Sequence, residues 1–401
     1  MISRIFTAKV QELLEFFPVV AVVGSRQVGK STLVQMSEIG RDRRYFTLDD
    51  LAVRQLAERD PESLLETQGP LTIDEVQLAP ELLRAIKKCV DQDRRPGRFL
   101  LTGSADMNVL SDLAGVLAGR VGIVQLPPIT QFEVRGGEGR PRWLQALQGE
   151  HASGSTPVAP FDWSRIVVGG FPLSVTAAHD RERALWFENF RKTYLERDLR
   201  RMRDIGHLSD FARLMELVAA RTAQLLNQAA LAREIGLNAA TAGRYLSLLE
   251  ASFLCMRLNP WHANLGKRLV KTPKRYWTDT GIACHLCGLH RDDLPGHPMT
   301  GPLFETFAVT EIAALLSHFL PEARLHFFRS QTGLEVDLLI QQGQTLFPVE
   351  IKASRSVTPD DAAPILRWRE WTGLTSPGLV LYPGTEIKPL GRNITAMPIT
   401  A

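Results

Sequence analysis

Val19-Val20-Ala21-Val22-Val23 is an unbroken apolar run that stops at Gly24, and a run so short and β-branched predicts an interior strand of a parallel sheet. Two further runs have the same build, an apolar body with a polar tip: Pro70-Leu71-Thr72-Ile73 before Asp74-Glu75, and Arg98-Phe99-Leu100-Leu101 before Thr102-Gly103-Ser104. From Arg181 to Arg203 the period lengthens to that of a helix, with Trp186, Phe187, Phe190, Tyr194 and Leu195 on one face as core and charges on the other. Gln228 to Ile235 predicts a short helix ended by Gly236, and Asn238 can cap a second helix whose Ala242, Tyr245, Leu246 and Leu249 form a stripe. That is a helix-turn-helix pattern. A strand over Phe253–Leu258 follows it, then a stretch from Asn259 to Arg275 with Lys267, Arg268, Lys271, Lys274 and Arg275 and no acid, which reads as the basic wing of a winged helix. Near the C-terminus, Gly333–Ile340 reads as a strand, Gln341-Gln342-Gly343-Gln344 as a turn and Leu346–Lys352 as the returning strand, which predicts a β-hairpin.

The first strand runs directly into Gly24-Ser25-Arg26-Gln27-Val28-Gly29-Lys30-Ser31-Thr32, the G-x-x-x-x-G-K-S spacing of a P-loop. Here successive backbone N–H groups face the β- and γ-phosphates of a bound nucleotide, and the following helix adds the positive end of its dipole. Gly24, Ser25, Gln27, Val28, Gly29, Lys30, Ser31 and Thr32 are the expected nucleotide contacts, Lys30 supplying charge and Ser31 a magnesium ligand. Asp74 ends the second strand where a hydrated magnesium is held, and Glu75 is placed to orient or deprotonate the attacking water. Ser104, or Thr102, would sense the γ-phosphate, and Arg120 is a candidate charge-stabilising arginine for its own chain or a neighbour.

The hairpin carries the second constellation. Alternation puts Val349 and Ile351 on one face and Glu350 and Lys352 on the other, with Asp337 roughly diagonal to Glu350 across the turn. Asp337 and Glu350 as magnesium ligands and Lys352 beside the water would suit phosphodiester cleavage, with Glu305 from a helix over Leu303–Val309 as a further ligand. A salt-bridged hairpin surface accounts for the same residues without chemistry. Cys284 and Cys287 form a C-x-x-C followed by His290 and His297, but no second close pair follows and Gly281–Leu286 reads as an apolar helix, so core thiols fit better than zinc.

Composition narrows the class. The 401 residues are too many for one core, and 44% hydrophobic with 23% charged content is that of a globular protein. A net charge of +3 leaves nucleic-acid affinity to local patches. No long uncharged apolar run and no signal-peptide pattern at the start point to a cytoplasmic protein with no membrane partner. Four cysteines do not make a disulfide framework. Clustered Gly, Ser and Pro from Gly136 to Asp162 read as a loop or linker.

Taken together, the P-loop, Ile73-Asp74-Glu75, Leu101-Thr102-Gly103-Ser104-Ala105, Leu117-Ala118-Gly119-Arg120, Gly169-Gly170-Phe171-Pro172, Tyr194-Leu195-Glu196-Arg197-Asp198, Glu335-Val336-Asp337 and Val349-Glu350-Ile351-Lys352 resemble the prokaryotic AAA-type ATPases that end in a domain of unknown function. The resemblance spans nearly the whole chain. It implies a multidomain α/β protein: an ATPase domain over 1–135, an insertion or linker over 136–162, a helical region over 163–222, a winged helix-turn-helix over 223–285, and over 296–401 a small α/β domain similar to the PD-(D/E)xK restriction endonucleases. ATP and magnesium are the implied cofactors. DNA is the expected partner through the winged helix and its basic wing, and a homo-oligomer is compatible with the pattern. Two functions follow: an ATPase acting on or binding DNA with a nuclease-like domain, or a nucleotide-dependent switch whose nuclease-like domain only binds DNA or protein.

Overall fold

The computed structural model describes residues 2–66, 69–104, 113, 115–150, 158–195, 208–261 and 272–400. The chain divides into two compact units, Met1–Ile129 with Ser247–Leu254, and Thr130–Leu246 with Cys255–Ala401.

In the first unit, β1 (Val19–Gly24), β2 (Arg44–Thr47), β3 (Leu71–Asp74), β4 (Phe99–Ser104) and β5 (Val121–Gln125) form an all-parallel sheet in the order β2-β3-β4-β1-β5. Helices α1 (Phe6–Phe16), α2 (Lys30–Gln35), α3 (Ser37–Gly40), α4 (Leu51–Arg59), α5 (Pro61–Leu65) and α6 (Leu82–Gln92) accompany it. Every residue of β1 and β3 is buried, which is why β1 reads as an unbroken apolar run, while β3 also buries the polar Thr72 and Asp74. Phe99 of β4 pairs with Val19 on one side and Leu71 on the other, so the strand begun at Phe99 lies between the P-loop strand and the Asp74 strand. On α6, Leu82, Leu83, Ile86 and Val90 are buried at helical spacing in the core that Ile73 and Leu101 share. Each such side chain contributes roughly 1.5–3 kcal/mol of burial.

The second unit holds α7 (Gln131–Val134), α8 (Arg142–Leu147), α9 (Ser164–Val168), α10 (Pro172–Thr176), α11 (Asp180–Thr193), α12 (Leu208–Ala220), β6 (Gln224–Leu225), α13 (Gln228–Glu234), α14 (Ala239–Ala251) as far as Leu246, its remainder being counted with the first unit, β7 (Cys255–Pro260), β8 (Lys274–Trp277), α15 (Thr280–Leu286) and α16 (Thr300–Phe319). After these come β9 (Arg324–Arg329), β10 (Glu335–Gln342), β11 (Thr345–Ile351), α17 (Ala363–Thr372), β12 (Gly378–Tyr382), β13 (Lys388–Gly391) and β14 (Ile394–Pro398). The Asn227 side chain accepts from Ala230 N at 3.0 Å and starts α13, and Asn238 accepts from Thr241 N at 2.7 Å and starts α14. Between them, Leu237 N reaches back to Ala232 O at 2.8 Å and closes the first helix at Gly236. The aromatic stripe of α11 is core: Phe171 lies 5.2 Å from both Trp186 and Phe190, centroid to centroid.

Three expectations are corrected. The strands expected in two separate domains, 223–285 and 296–401, belong to one nine-stranded sheet, β13-β14-β12-β11-β10-β9-β7-β8-β6, because β7 pairs in parallel with β9 through Asn259↔His326 and Pro260↔Phe327. The stretch expected as a linker contains α8, where Trp143, Leu144 and Leu147 are buried, and that apolar triplet overrides the surrounding Gly and Pro. Lys274 and Arg275, expected on an exposed basic wing, are 3% and 9% exposed within β8. Lys267, Arg268, Lys271, Glu196-Arg197-Asp198 and the side chain of Ser104 lie outside the described residues.

Candidate functional site

The P-loop leaves β1 at Gly24, and Gly29, at φ 100°, makes the bend that starts α2. Val28 and Lys30 are buried, Gln27 also takes a positive φ, Thr32 follows on α2, and the buried Ser25 hydroxyl has no hydrogen-bond partner. Lys30 Nζ donates to Gly24 O at 3.1 Å and Ser25 O at 2.9 Å. That holds the ammonium over the loop in the place a phosphate would compete for.

Parallel pairing brings the tip of β3 beside this loop. Ser31 Oγ donates to Asp74 Oδ1 at 3.1 Å, which joins the two expected magnesium ligands. Two neighbours complete the carboxylate: Thr102 Oγ1 from β4 donates to Oδ1, and Tyr45 OH from β2 donates to Oδ2 at 2.7 Å. Burial and then Asp74 itself raise the Tyr45 phenol, which therefore stays protonated as a donor. Thr102 Oγ1 also accepts from Glu75 N at 3.1 Å, so a single hydroxyl ties Asp74 to the following residue. Glu75 sits in the left-handed region at φ 59°, ψ 45°, a conformation non-glycine residues adopt at some cost, and its carboxylate accepts from Gln77. These residues fit a magnesium nucleotide: amides and Lys30 for the polyphosphate, Ser31 and Asp74 for the metal, Glu75 for the water. The bound metal would neutralise charge on the phosphates.

Arg120 is elsewhere. Its backbone oxygen accepts from Val19 N at 3.2 Å, at the opposite end of β1 from the P-loop, roughly 16 Å away at the rise of a strand. Its Nε pairs with Asp91 at 2.6 Å. A role at the P-loop of its own chain is corrected by that distance.

In the second unit the antiparallel register pairs Leu338 with Val349, so Asp337 and Glu350 fall at the next position, opposite and not diagonal. Asp337 Oδ2 accepts from Ile351 N at 2.9 Å, and Lys352 Nζ donates to Glu350 Oε1 at 2.8 Å. Glu305 comes in from α16. The surrounding groups were not legible as partners: Lys274 Nζ from β8 lies 2.8 Å from Glu305, 2.6 Å from Glu335 and 3.9 Å from Asp337. Tyr276 OH donates to Glu305 at 2.7 Å. The signal was present in the spacing, since Lys274 and Tyr276 share one strand face, as do Glu335 and Asp337.

Burial and then the charge of Asp337 raise Glu305 to about 7 and Glu350 to about 8, and burial raises Asp337 as well. Burial opposes the charge of Lys274, but Glu305, Asp337 and Glu335 outweigh it and raise the ammonium. Four carboxylates face three cations, Lys274, Lys352 and the Arg329 guanidinium on Glu335, so the cluster is one negative charge in excess, and the raised Glu305 and Glu350 keep protons near neutral pH. As arranged, the set does not fit a divalent metal, because an ammonium stands among three of the four carboxylates. Among the described residues no group of three or more His, Cys, Asp or Glu side chains is placed to hold one. Burial also raises the thiols, Cys284 strongly and Cys287 to about 11.

The Gly169-Gly170-Phe171-Pro172 motif is occupied structurally. Asp279 accepts from Gly170 N at 2.6 Å and from Ile282 N at 2.8 Å, joining the motif to the start of α15. Gly169 has φ 67°, ψ −157°, and a Cβ there would lie 2.5 Å from both Asp279 oxygens.

The first unit thus has the parallel sheet, phosphate loop and paired acidic strand tip of a P-loop ATPase, and residues 17–135 match the AAA domain family. The chain carries an AAA-type ATPase domain. Residues 163–293 and 300–401 match two domains of unknown function (DUF8612 and DUF4143). Over 394 residues the chain is 31% identical to an uncharacterized protein of Mycobacterium tuberculosis and to one of Mycobacterium bovis, covering 98% of this chain and 82% of each relative. It belongs to their family. Among solved structures it is similar to the Walker-type ATPase of Pyrococcus abyssi, at 14% identity and a TM-score of 0.45 over 71% of this chain and 96% of that one. RuvB of Thermotoga maritima aligns at 19% identity and a TM-score of 0.29, over 63% and 88%. Among the described residues no helix is long and apolar enough to cross a membrane.

Proposed function

We propose that this chain is an ATP-hydrolysing ATPase that binds DNA, and that its C-terminal domain is a restriction-endonuclease-like module engaging that DNA under nucleotide control. The observation that carries the nucleotide half is the 3.1 Å hydrogen bond from Ser31 to Asp74, with Lys30 over the loop beside it. Support for the DNA half comes from element order. Helices α13 and α14 joined by a turn, followed by antiparallel β7 and β8, are the order of a winged helix-turn-helix, and Arg244 is exposed on α14. Helix α16, antiparallel β9-β10-β11, then α17 and the parallel β12 are the order of a PD-(D/E)xK core. A cytoplasmic location and a homo-oligomer, in which Arg120 serves a neighbouring copy, are part of the same proposal.

The test is a titration of ATP into the full chain with magnesium, alongside gel-shift of duplex DNA at low salt. Lys30→Ala should abolish nucleotide binding, and Arg244→Glu should weaken DNA binding. No retention of DNA by the full chain, with or without ATP, sinks the DNA half. The rival reading is metal-dependent cleavage, for which Glu350 Oε2, buried without a partner, is the one open oxygen in a set whose ammonium groups otherwise exclude a metal. Plasmid nicking in manganese that Asp337→Ala removes would establish it.

A further inference from the structure

We infer that Lys274 permanently holds the place of a divalent cation in the carboxylate cluster of the second unit, and that this closes the cluster to metal-dependent chemistry. The inference rests on the nuclease-like reading of the C-terminal domain and deepens it, from an undetermined site to one that does not cut. Its basis is position. Lys274 is 3% exposed, on a strand outside the hairpin that carries Glu335, Asp337 and Glu350, and its ammonium reaches three carboxylates from two further elements, α16 and β10. Contacts of 2.6 and 2.8 Å to Glu335 and Glu305 occupy the oxygens that would have to turn inward to about 2.0–2.1 Å around magnesium. The fourth carboxylate, Glu350, is held by Lys352 through Oε1, and its remaining oxygen has no partner.

The neighbours fix Lys274 in this position. Phe327 lies 5.7 Å under the ammonium, Tyr276 two residues along β8 donates to the same Glu305 oxygen, and Arg329 holds the far oxygen of Glu335 at 3.1 Å. Strand β8 is itself fixed by pairing with β7 and β6. The lysine is built into the sheet, where a surface side chain would swing clear.

The probe is Mn2+ alone, titrated into the nucleotide-free full chain and followed by loss of the free-ion paramagnetic resonance signal. Manganese at the P-loop is separated by asking which binding Asp337→Asn removes. Wild type should show no such binding. Lys274→Met should gain one Mn2+ site, lost again in Lys274→Met with Asp337→Asn, and Lys274→Arg should gain none. Lys274→Gln, which can still donate to Glu305, carries the same titration if circular dichroism shows the methionine variant unfolded. An Asp337-dependent Mn2+ site in wild type overturns the inference, and so does a folded neutral variant that gains none. DNA gel-shift on the same samples is independent: its failure sinks the proposed function and leaves the Mn2+ outcome standing.

Discussion

Replacing Gly169 with alanine tests whether the Gly169-Gly170 motif is an architectural seat for Asp279. Two costs add. At φ 67°, ψ −157° the backbone occupies a region that side chains other than glycine hardly enter, worth on the order of 1–3 kcal/mol. The new methyl would also stand 2.5 Å from both carboxylate oxygens of a 3% exposed Asp279, an overpacking of about 1–3 kcal/mol. Gly169→Ala should therefore destabilise the second unit by about 4 kcal/mol. The control is Gly301→Ala at the start of α16, which is not at positive φ and where a Cβ meets nothing within 4 Å outside its chain neighbours, so the loss should be much smaller. Denaturant unfolding followed by tryptophan fluorescence reads both, with ATP binding measured in parallel. A Gly169→Ala midpoint indistinguishable from wild type would refute the reasoning, since neither the backbone region nor the overlap could then be real.

Glu75→Gln should leave nucleotide affinity intact while lowering turnover by about 10²-fold or more, read as calorimetric binding against phosphate release; equal turnover removes Glu75 from the water. Thr102→Val deletes the hydroxyl shared by Asp74 and Glu75 N, and the loss of a bond worth about 1–1.5 kcal/mol should cost roughly tenfold in turnover with binding retained. Burial holds Glu311 at about 7, so as pH rises from about 4.5 the unfolded chain releases a proton that the folded chain keeps. Glu311 should account for about 3 kcal/mol of the stability the second unit loses between pH 4.5 and 7, alongside Asp279, Glu305 and Glu350, which burial also raises, so Glu311→Gln should shrink that fall by about this amount; an unchanged slope contradicts the assignment.

The sequence displayed most of the first unit because its signals are local. Strand β1, the glycine spacing and Lys30-Ser31 are contiguous, whereas the sideways reaches of Tyr45 and Thr102 to Asp74 had no local signature. The hairpin was legible for the same reason, alternation fixing which residues share a face, although its register put Asp337 opposite Glu350. What failed was charge read without tertiary context. Lys274 and Arg275 look like wing residues in a run of bases, yet the acids that draw Lys274 inward lie on α16 and β10, and no window along the chain contains both. The 136–162 stretch failed in the opposite sense: its glycines and prolines are conspicuous, and Trp143, Leu144 and Leu147 make too short an apolar pattern to outweigh them by eye.

The parallel pairing of β7 with β9 has a practical consequence for anyone dissecting the chain. Cutting between the two matched regions that end at 293 and begin at 300 would strip β9 of its neighbour and leave each fragment with a raw row of amides and carbonyls. Such halves should self-associate or precipitate when made alone and recover solubility when co-expressed, so insolubility of the C-terminal piece would report a torn sheet.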